Sequence, residues 1–256
     1  MNSRSYKRFI YNLMTQVFDP LRALKGLEGF IWYLKDYTTY KKLPQAESIN
    51  LIDLYPTVHE RNKSHEIDSH YYYVNSWAMR LIISSKPKYH VDVASQVIFS
   101  ALLSAVIPVT YIDYRPIDTE LNGLKCISGS ATDLPFKDEL IESISCLHVA
   151  EHIGLGRYGD PLDPLGTLKA ACELQRVLSP GGNLFFAVPV GRQRLCFNAH
   201  RIHSAKTICE YFSQLELIEF SGVYDNGTFV SNVKLSEFDN NEYACGMFWF
   251  RKRPNG

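Results

Sequence analysis

The chain lacks net charge: 27 Lys and Arg balance 27 Asp and Glu over 256 residues. A neutral chain sets up no global field that gathers nucleic acid, so no nucleic-acid partner is expected. It also lacks an apolar run near the ~20 residues that a bilayer span requires. No secretory leader is visible, because the first apolar stretch is short and studded with polar residues. The expected compartment is therefore the cytoplasm. Paired cysteines are missing as well. Cys126, Cys146, Cys172, Cys196, Cys209 and Cys245 include no C-x-x-C pair, and most sit in apolar runs. That usage speaks for buried thiols in a reducing compartment rather than disulfides or a structural zinc.

What remains is a soluble globular composition, 46% hydrophobic and 21% charged, long enough for one sizeable domain and an appendage. The charge is unevenly spread. Residues 1–43 hold eight Lys and Arg (Arg4, Lys7, Arg8, Arg22, Lys25, Lys35, Lys41, Lys42) against Asp19, Glu28 and Asp36. A basic, aromatic-rich leader of this kind suits peripheral contact with an anionic membrane surface. The alternative is a helical cap with a solvated basic face.

Helical periodicity runs through residues 1–40. Phe9, Leu13, Val17 and Phe18 share one face, and Leu24, Leu27, Ile31 and Leu34 another. Asp19-Pro20 separates the two helices, since proline fits a first turn. Residues 41–70 read as a linker with a short strand-like or docking segment, L-I-D-L-Y-P at 51–56. A third helical pattern covers 71–85. The expected domains are thus a helical N-terminal extension and linker, 1–85, and an α/β domain, 86–256.

From residue 89 apolar strands alternate with helices. Strands are expected over 89–94, 109–113, 124–128, 141–148, 183–190, 215–220 and 243–251. Helices are expected over 96–106, 163–178 and 204–212. Pro180-Gly181-Gly182 should follow the second of these, and Ser204 should cap the third. Such alternation implies a Rossmann-like sheet of seven strands, parallel apart from its last strand and covered on both faces.

In such sheets ligands bind at the carboxyl ends of the strands. Strand two ends Y-I-D-Y-R-P, and a carboxylate there accepts two hydrogen bonds from a ribose diol, which nominates Asp113 with Tyr114 beside it. Strand four ends H-V-A-E-H, which places His148, Glu151 and His152 at the same edge. The string also fits the inverted zinc-peptidase pattern H-x-x-E-H. That pattern needs a long helix, whereas a strand-like run precedes it here and Gly154 and Gly156 break it. A metal on His148 and His152 with His200 or His203 matches no known ligand spacing, so no metal site is expected. The polar loop G-L-G-R-Y-G-D-P follows with Arg157, Tyr158 and Asp160. After strand five, A-H-R-I-H-S brings His200 and Arg201. These residues are expected to line one cleft.

The order A-T-D-L-P-F, H-V-A-E-H-I, L-S-P-G-G-N-L-F-F-A-V-P resembles the later motifs of class I S-adenosylmethionine-dependent methyltransferases. Within them, residues 89–256 look like a small uncharacterised family that shares H-V-x-E-H-I-G-L-G-R-Y-G-D-P and A-H-R-I-x-S and lacks the usual Gly-x-Gly turn. The resemblance implies S-adenosylmethionine as cofactor. It implies that the strand-one end (Asp92, Ala94, Ser95, Gln96) approaches the methionine part, that Asp113 and Tyr114 hold ribose and adenine, and that Asp133 and Leu134 hold the adenine edge. Ala94, Ser95 and Gln96 stand where two glycines belong. Alanine replaces glycine readily only at negative φ, so a wider loop or a displaced ligand is expected. Two functions follow. One is methyl transfer to a small or glycan-linked acceptor, with a histidine as base. The other is a methyltransferase fold that binds a sugar nucleotide or serves as a non-catalytic partner in glycan assembly.

Overall fold

A computed structural model describes residues 10–61 and 67–254 of the chain. Phe9 and the basic residues Arg4, Lys7 and Arg8 lie outside the described residues. Two compact units divide between residues 66 and 67.

In the first unit a helical stretch over 10–15 precedes α1, Pro20–Tyr40. Asp19 caps α1, its carboxylate accepting from Leu21 and Arg22 backbone N–H at 3.0 Å each. Pro20 fills the first turn, where its missing N–H costs nothing. The buried face of α1 is made of glycine rather than leucine. A Cβ on Gly29 would stand 2.3 Å from the Val58 carbonyl oxygen, so the 58–61 segment lies directly on the helix backbone. The opposite stripe, Leu24, Leu27, Ile31 and Leu34, is exposed. The 51–56 segment is not a strand: Leu51–Asp53 forms one 3-10 turn.

The second unit begins with α2, Ser69–Ser85, capped by Asp68. Val74, Trp77, Ala78 and Ile82 recur at helical spacing and are buried. They pack with Phe185, Val223 and Met247 of the sheet and with Phe99 and Leu103 of α3, Val97–Ser104. Trp77 Nε1 donates to Glu219 at 2.9 Å. α2 thus completes one face of the α/β core, although its polar flanks read as part of the N-terminal extension.

The strands are β1 (His90–Val93), β2 (Val109–Asp113), β3 (Leu124–Ser128), β4 (Ile141–Leu147), β5 (Leu178–Val190), β6 (Arg194–Cys196), β7 (His200–Ile202), β8 (Leu215–Val223), β9 (Phe229–Val230) and β10 (Ala244–Lys252). The main sheet has the order β3-β2-β1-β4-β5-β10-β8-β9. β1 to β5 pair in parallel, and β10 runs antiparallel between β5 and β8. The seven expected strands are all present. β9 and the β6–β7 hairpin were not expected, since two or three residues carry no period. β5 starts five residues early, because the P-G-G segment turns within it and the register with β4 slips after Ile141. The second core face holds α4 (Gly166–Val177) and α5 (Ala205–Tyr211). There Phe186, Phe212, Phe220, Phe248 and Phe250 pack ring on ring at 4.8–6.4 Å. Each contributes about 1.5–3 kcal/mol by burial. Ser204 caps α5 through Thr207 N–H at 3.0 Å. Of the cysteines only Cys146 and Cys245 are buried, and Cys172 is exposed, so the expectation of buried thiols holds for two of six.

Candidate functional site

The strand order reverses direction between β1 and β4, and at their carboxyl ends the loops part. A cavity of about 260 Å³ opens there, walled by Ala94, Asp113, Ser130, His148, His152 and Tyr158. A second, of about 420 Å³, shares His148 and His152 with it and adds Asp68, His70, Glu151 and Arg157.

The turn after β1 is not widened. Ala94 itself takes the left-handed conformation, φ 53°, at a cost of about 1–2 kcal/mol for a residue with a Cβ. Asp92 holds it there. The carboxylate is fully buried and accepts from Ser95 N–H at 3.2 Å, Ser95 Oγ at 2.6 Å, Ser100 Oγ at 2.8 Å and Ser145 Oγ. Burial pushes its pKa up to about 6, against the pull of the three serines. Ser145 in turn accepts from His90 Nε2 at 2.9 Å, and Ser143 donates to His90 Nδ1 at 2.8 Å. Burial holds His90 neutral, with its pKa down at about 3. Asp92 and Ser95 are therefore anchors between β1, α3 and β4 and line neither cavity. Gln96 is turned to Asn75, whose Nδ2 donates to it at 2.8 Å. Of the four residues expected at this turn, only Ala94 reaches the cavity.

Asp113 does reach it. Its oxygens accept from Arg115 N–H at 2.7 Å and from Tyr111 OH at 3.1 Å. A carboxylate has about four acceptor positions, so capacity for a diol remains. Tyr114 lines the same wall. Asp133 and Leu134 do not. Leu134 is core, its N–H donating to Glu173 at 2.9 Å, and Asp133 is exposed. Ser130 and Ala131 stand at the cavity instead. The residues around Ala94 and Asp113 fit an adenosine-bearing cofactor: a close backbone approach beside a free carboxylate edge.

The H-V-A-E-H segment gives three different environments. His148 has φ 56° and bridges Glu151 Oε1 through Nδ1 at 3.0 Å and Cys245 Sγ through Nε2 at 3.2 Å. Burial works against its proton, but Cys245 and Glu151 outweigh burial and push the pKa up to about 10. Glu151 is buried. Burial would raise its carboxyl, yet the His148 and His152 contacts hold it below the usual range. Its Oε2 has no hydrogen-bond partner among the described residues. His152 Nδ1 donates to the Ala199 carbonyl at 2.6 Å, and its Nε2 lies 3.7 Å from Glu151 Oε1. Burial, opposed by Glu151, keeps the His152 pKa below its ordinary value.

The following loop is held by its own polar groups. Asp160 accepts from Gly154 N–H at 2.6 Å and Tyr158 N–H at 3.2 Å. Gly154 has φ 78°, and a Cβ there would meet the Asp163 carbonyl oxygen at 2.1 Å. Tyr158 is flanked by the guanidinium groups of Arg115 and Arg157, 5.1 and 5.2 Å from its ring centre. Arg201 donates to the Ile153 carbonyl at 2.6 Å and the Asp163 carbonyl at 2.9 Å. It clamps the loop and lines neither cavity. His200 packs on Tyr243 at 4.8 Å and lines neither cavity. The expected single cleft is thus two adjoining cavities, without His200 and Arg201. Arg115, Ser130, His70 and Tyr243 are lining residues that the sequence patterns missed.

Residues 135–252 match the family model described as Caenorhabditis protein of unknown function, DUF268. No curated protein matches the chain. Among solved structures it is similar to N-methyltransferase NodS from Bradyrhizobium japonicum WM9, at 16% identity and TM-score 0.51, over 73% of this chain and 98% of that one. It is similar to the 1,6-didemethyltoxoflavin-N1-methyltransferase of Burkholderia thailandensis, at 12% identity and TM-score 0.51, over 70% and 78%. It is also similar to the [4+2]-cyclase SpnF, at 12% identity and TM-score 0.53, over 72% and 81%. The chain has the class I methyltransferase fold, and its residues 135–252 carry the pattern of a family of unknown function.

Proposed function

We propose that the second unit binds S-adenosylmethionine in the cavity at Ala94 and Asp113 and methylates a hydroxyl of a small or glycan-linked acceptor placed in the adjoining cavity. The observation that carries this reading is one residue: His152 lines both cavities, is held neutral by burial, and has Nδ1 fixed as a donor to Ala199. Its Nε2 is too far from Glu151 for a hydrogen bond and keeps its lone pair. When bound, the cofactor supplies an electrophilic methyl group on a sulfonium. Asp113 would accept hydrogen bonds from its ribose hydroxyls. His152 Nε2 would take the proton of an acceptor hydroxyl, freeing its oxygen for a methyl group that leaves sulfur behind as a neutral thioether, and Glu151 would steady the resulting imidazolium. The polar lining of the second cavity, with Asp68, Ser69 and Arg157, suits a sugar-like acceptor. Among the structural neighbours, that from Burkholderia thailandensis holds both its named acceptor and S-adenosylhomocysteine.

Titration calorimetry with S-adenosylmethionine and S-adenosylhomocysteine tests this. Binding of both is expected. Binding of a uridine diphosphate sugar in their place would favour the sugar-nucleotide reading, which the cyclase neighbour makes worth including, since this fold also serves other reactions.

We also propose that α1 touches an anionic membrane surface. Its exposed stripe of Leu24, Leu27, Ile31 and Leu34 is flanked by Arg22, Lys25 and Lys35, and no helix among the described residues is long and apolar enough to cross a membrane. Co-sedimentation with phosphatidylserine vesicles, lost in Ile31→Glu, is the expected result.

A further inference from the structure

Beside the cofactor cavity, three potential metal ligands converge from three elements. His70 stands in the first turn of α2, His148 just beyond β4, and Cys245 in β10. One nitrogen of each histidine and Cys245 Sγ lie within 4.8 Å of one another. The centroids of the two imidazole rings are 5.5 Å apart and their planes 13° from parallel. We propose that these residues form a zinc site with one open position facing the second cavity.

Four observations converge. The donor set is two imidazoles and a thiolate, which suits Zn²⁺ and leaves the fourth tetrahedral position free, as in catalytic sites. His148 is already oriented: Nδ1 is engaged by Glu151 at 3.0 Å, so Nε2 is the atom turned to Cys245 at 3.2 Å. A carboxylate behind a histidine in this way fixes the tautomer of a metal ligand. Metal–nitrogen and metal–sulfur bonds of about 2.0 and 2.3 Å at a tetrahedral angle place N and S about 3.5 Å apart, so the pair needs to open by only a few tenths of an ångström. Finally, Glu151 lines the second cavity, and its buried Oε2 has no hydrogen-bond partner among the described residues. A water or acceptor hydroxyl on the open position would donate to it. The thiolate and the Glu151 carboxylate together balance the charge of the ion.

The site does not depend on methyl transfer, and its test omits the cofactor. The full chain, stripped with a chelator and dialysed, is titrated with Co²⁺. One equivalent should bind with tetrahedral visible bands and a near-ultraviolet thiolate-to-cobalt band, both erased by Zn²⁺. Cys172→Ser removes an exposed thiol elsewhere and should keep both bands. Cys245→Ser should lose the thiolate band. Because Cys245 is buried and its variant could misfold, His70→Ala and Glu151→Gln are measured too. The first should weaken Co²⁺ at least ~10-fold and the second ~10–100-fold. The proposal is overturned if folded wild-type protein shows no thiolate band, if the band survives Cys245→Ser, or if His70→Ala leaves the affinity unchanged. In each case His148 and Cys245 are a plain imidazole–thiol contact.

Discussion

Ala94 and His148 sit at the carboxyl ends of the paired strands β1 and β4, and both hold positive φ, 53° and 56°, while facing one cavity. Neither residue has the freedom of glycine, and two such backbones on one wall cost about 1–2 kcal/mol each. Burial around Asp92 and Glu151 over-determines both. Replacing Ala94 with Gly should therefore raise stability by up to about 1 kcal/mol, the relief of strain being partly offset by a more flexible unfolded chain. Ala94→Val should destabilise, because a β-branched residue fits the left-handed region poorly. Chemical denaturation of the two variants beside wild type checks the pair. Equal stability of all three would mean that the turn is open.

Asp113→Ala should weaken adenosine-bearing ligands by about 1–3 kcal/mol, since a ribose diol loses a charged acceptor. Calorimetry with S-adenosylhomocysteine on folded variant reads this directly. Asp133→Ala should leave the same affinity unchanged, because Asp133 lines neither cavity.

The contrast between these two aspartates shows how far the sequence was legible. Strand alternation placed every core strand, and position at the end of β2 placed Asp113 on the cavity wall. Asp133 follows only from the methyltransferase-like setting of the A-T-D-L-P-F string, three residues beyond Ser130, and a loop has no period from which to count. Asp92 and Arg201 have the right types at the right edge. Their side chains are consumed by three serines and by two loop carbonyls, and partners distant in sequence cannot be read from a motif. The His70–His148–Cys245 cluster was invisible for the same reason: its members stand on three elements far apart along the chain.

His203 is buried, with no hydrogen-bond partner for either ring nitrogen among the described residues, and burial followed by Arg201 holds its pKa at about 4. The unfolded chain binds a proton near pH 6.5 and the folded chain does not. The stability from this group is complete above pH 6.5 and falls as pH drops toward 4. In His203→Leu that dependence is absent. At pH 7 the variant should match or slightly exceed wild type, since an unsatisfied polar group is removed. Between pH 6.5 and 4 it should gain on wild type by roughly 3 kcal/mol. Urea unfolding at several pH values measures the gap, and a gap that does not grow in acid would show that the ring has a partner.

Removing residues 1–66 should leave a cooperatively folding α/β unit. Removing 1–85 should not, because Val74, Trp77, Ala78 and Ile82 would leave Phe99, Phe185 and Met247 uncovered. Calorimetric unfolding of the two truncations decides where the domain begins.

Arg201 separates a reacting group from a scaffold. Its guanidinium spans the Ile153 and Asp163 carbonyls, and these flank the loop that carries Arg157, Tyr158 and Asp160. Without the clamp, two half-buried carbonyls lose their donors and the loop loses its closure. Arg201→Ala should therefore raise amide hydrogen exchange across 154–163 and weaken S-adenosylhomocysteine through Tyr158 and Asp160, with the sheet unaffected. Arg201→Lys should rescue little, since one ammonium cannot reproduce the planar fork that reaches both oxygens. A direct contact between Arg201 and substrate predicts the reverse: unchanged exchange in the loop, unchanged cofactor affinity, and loss of turnover alone.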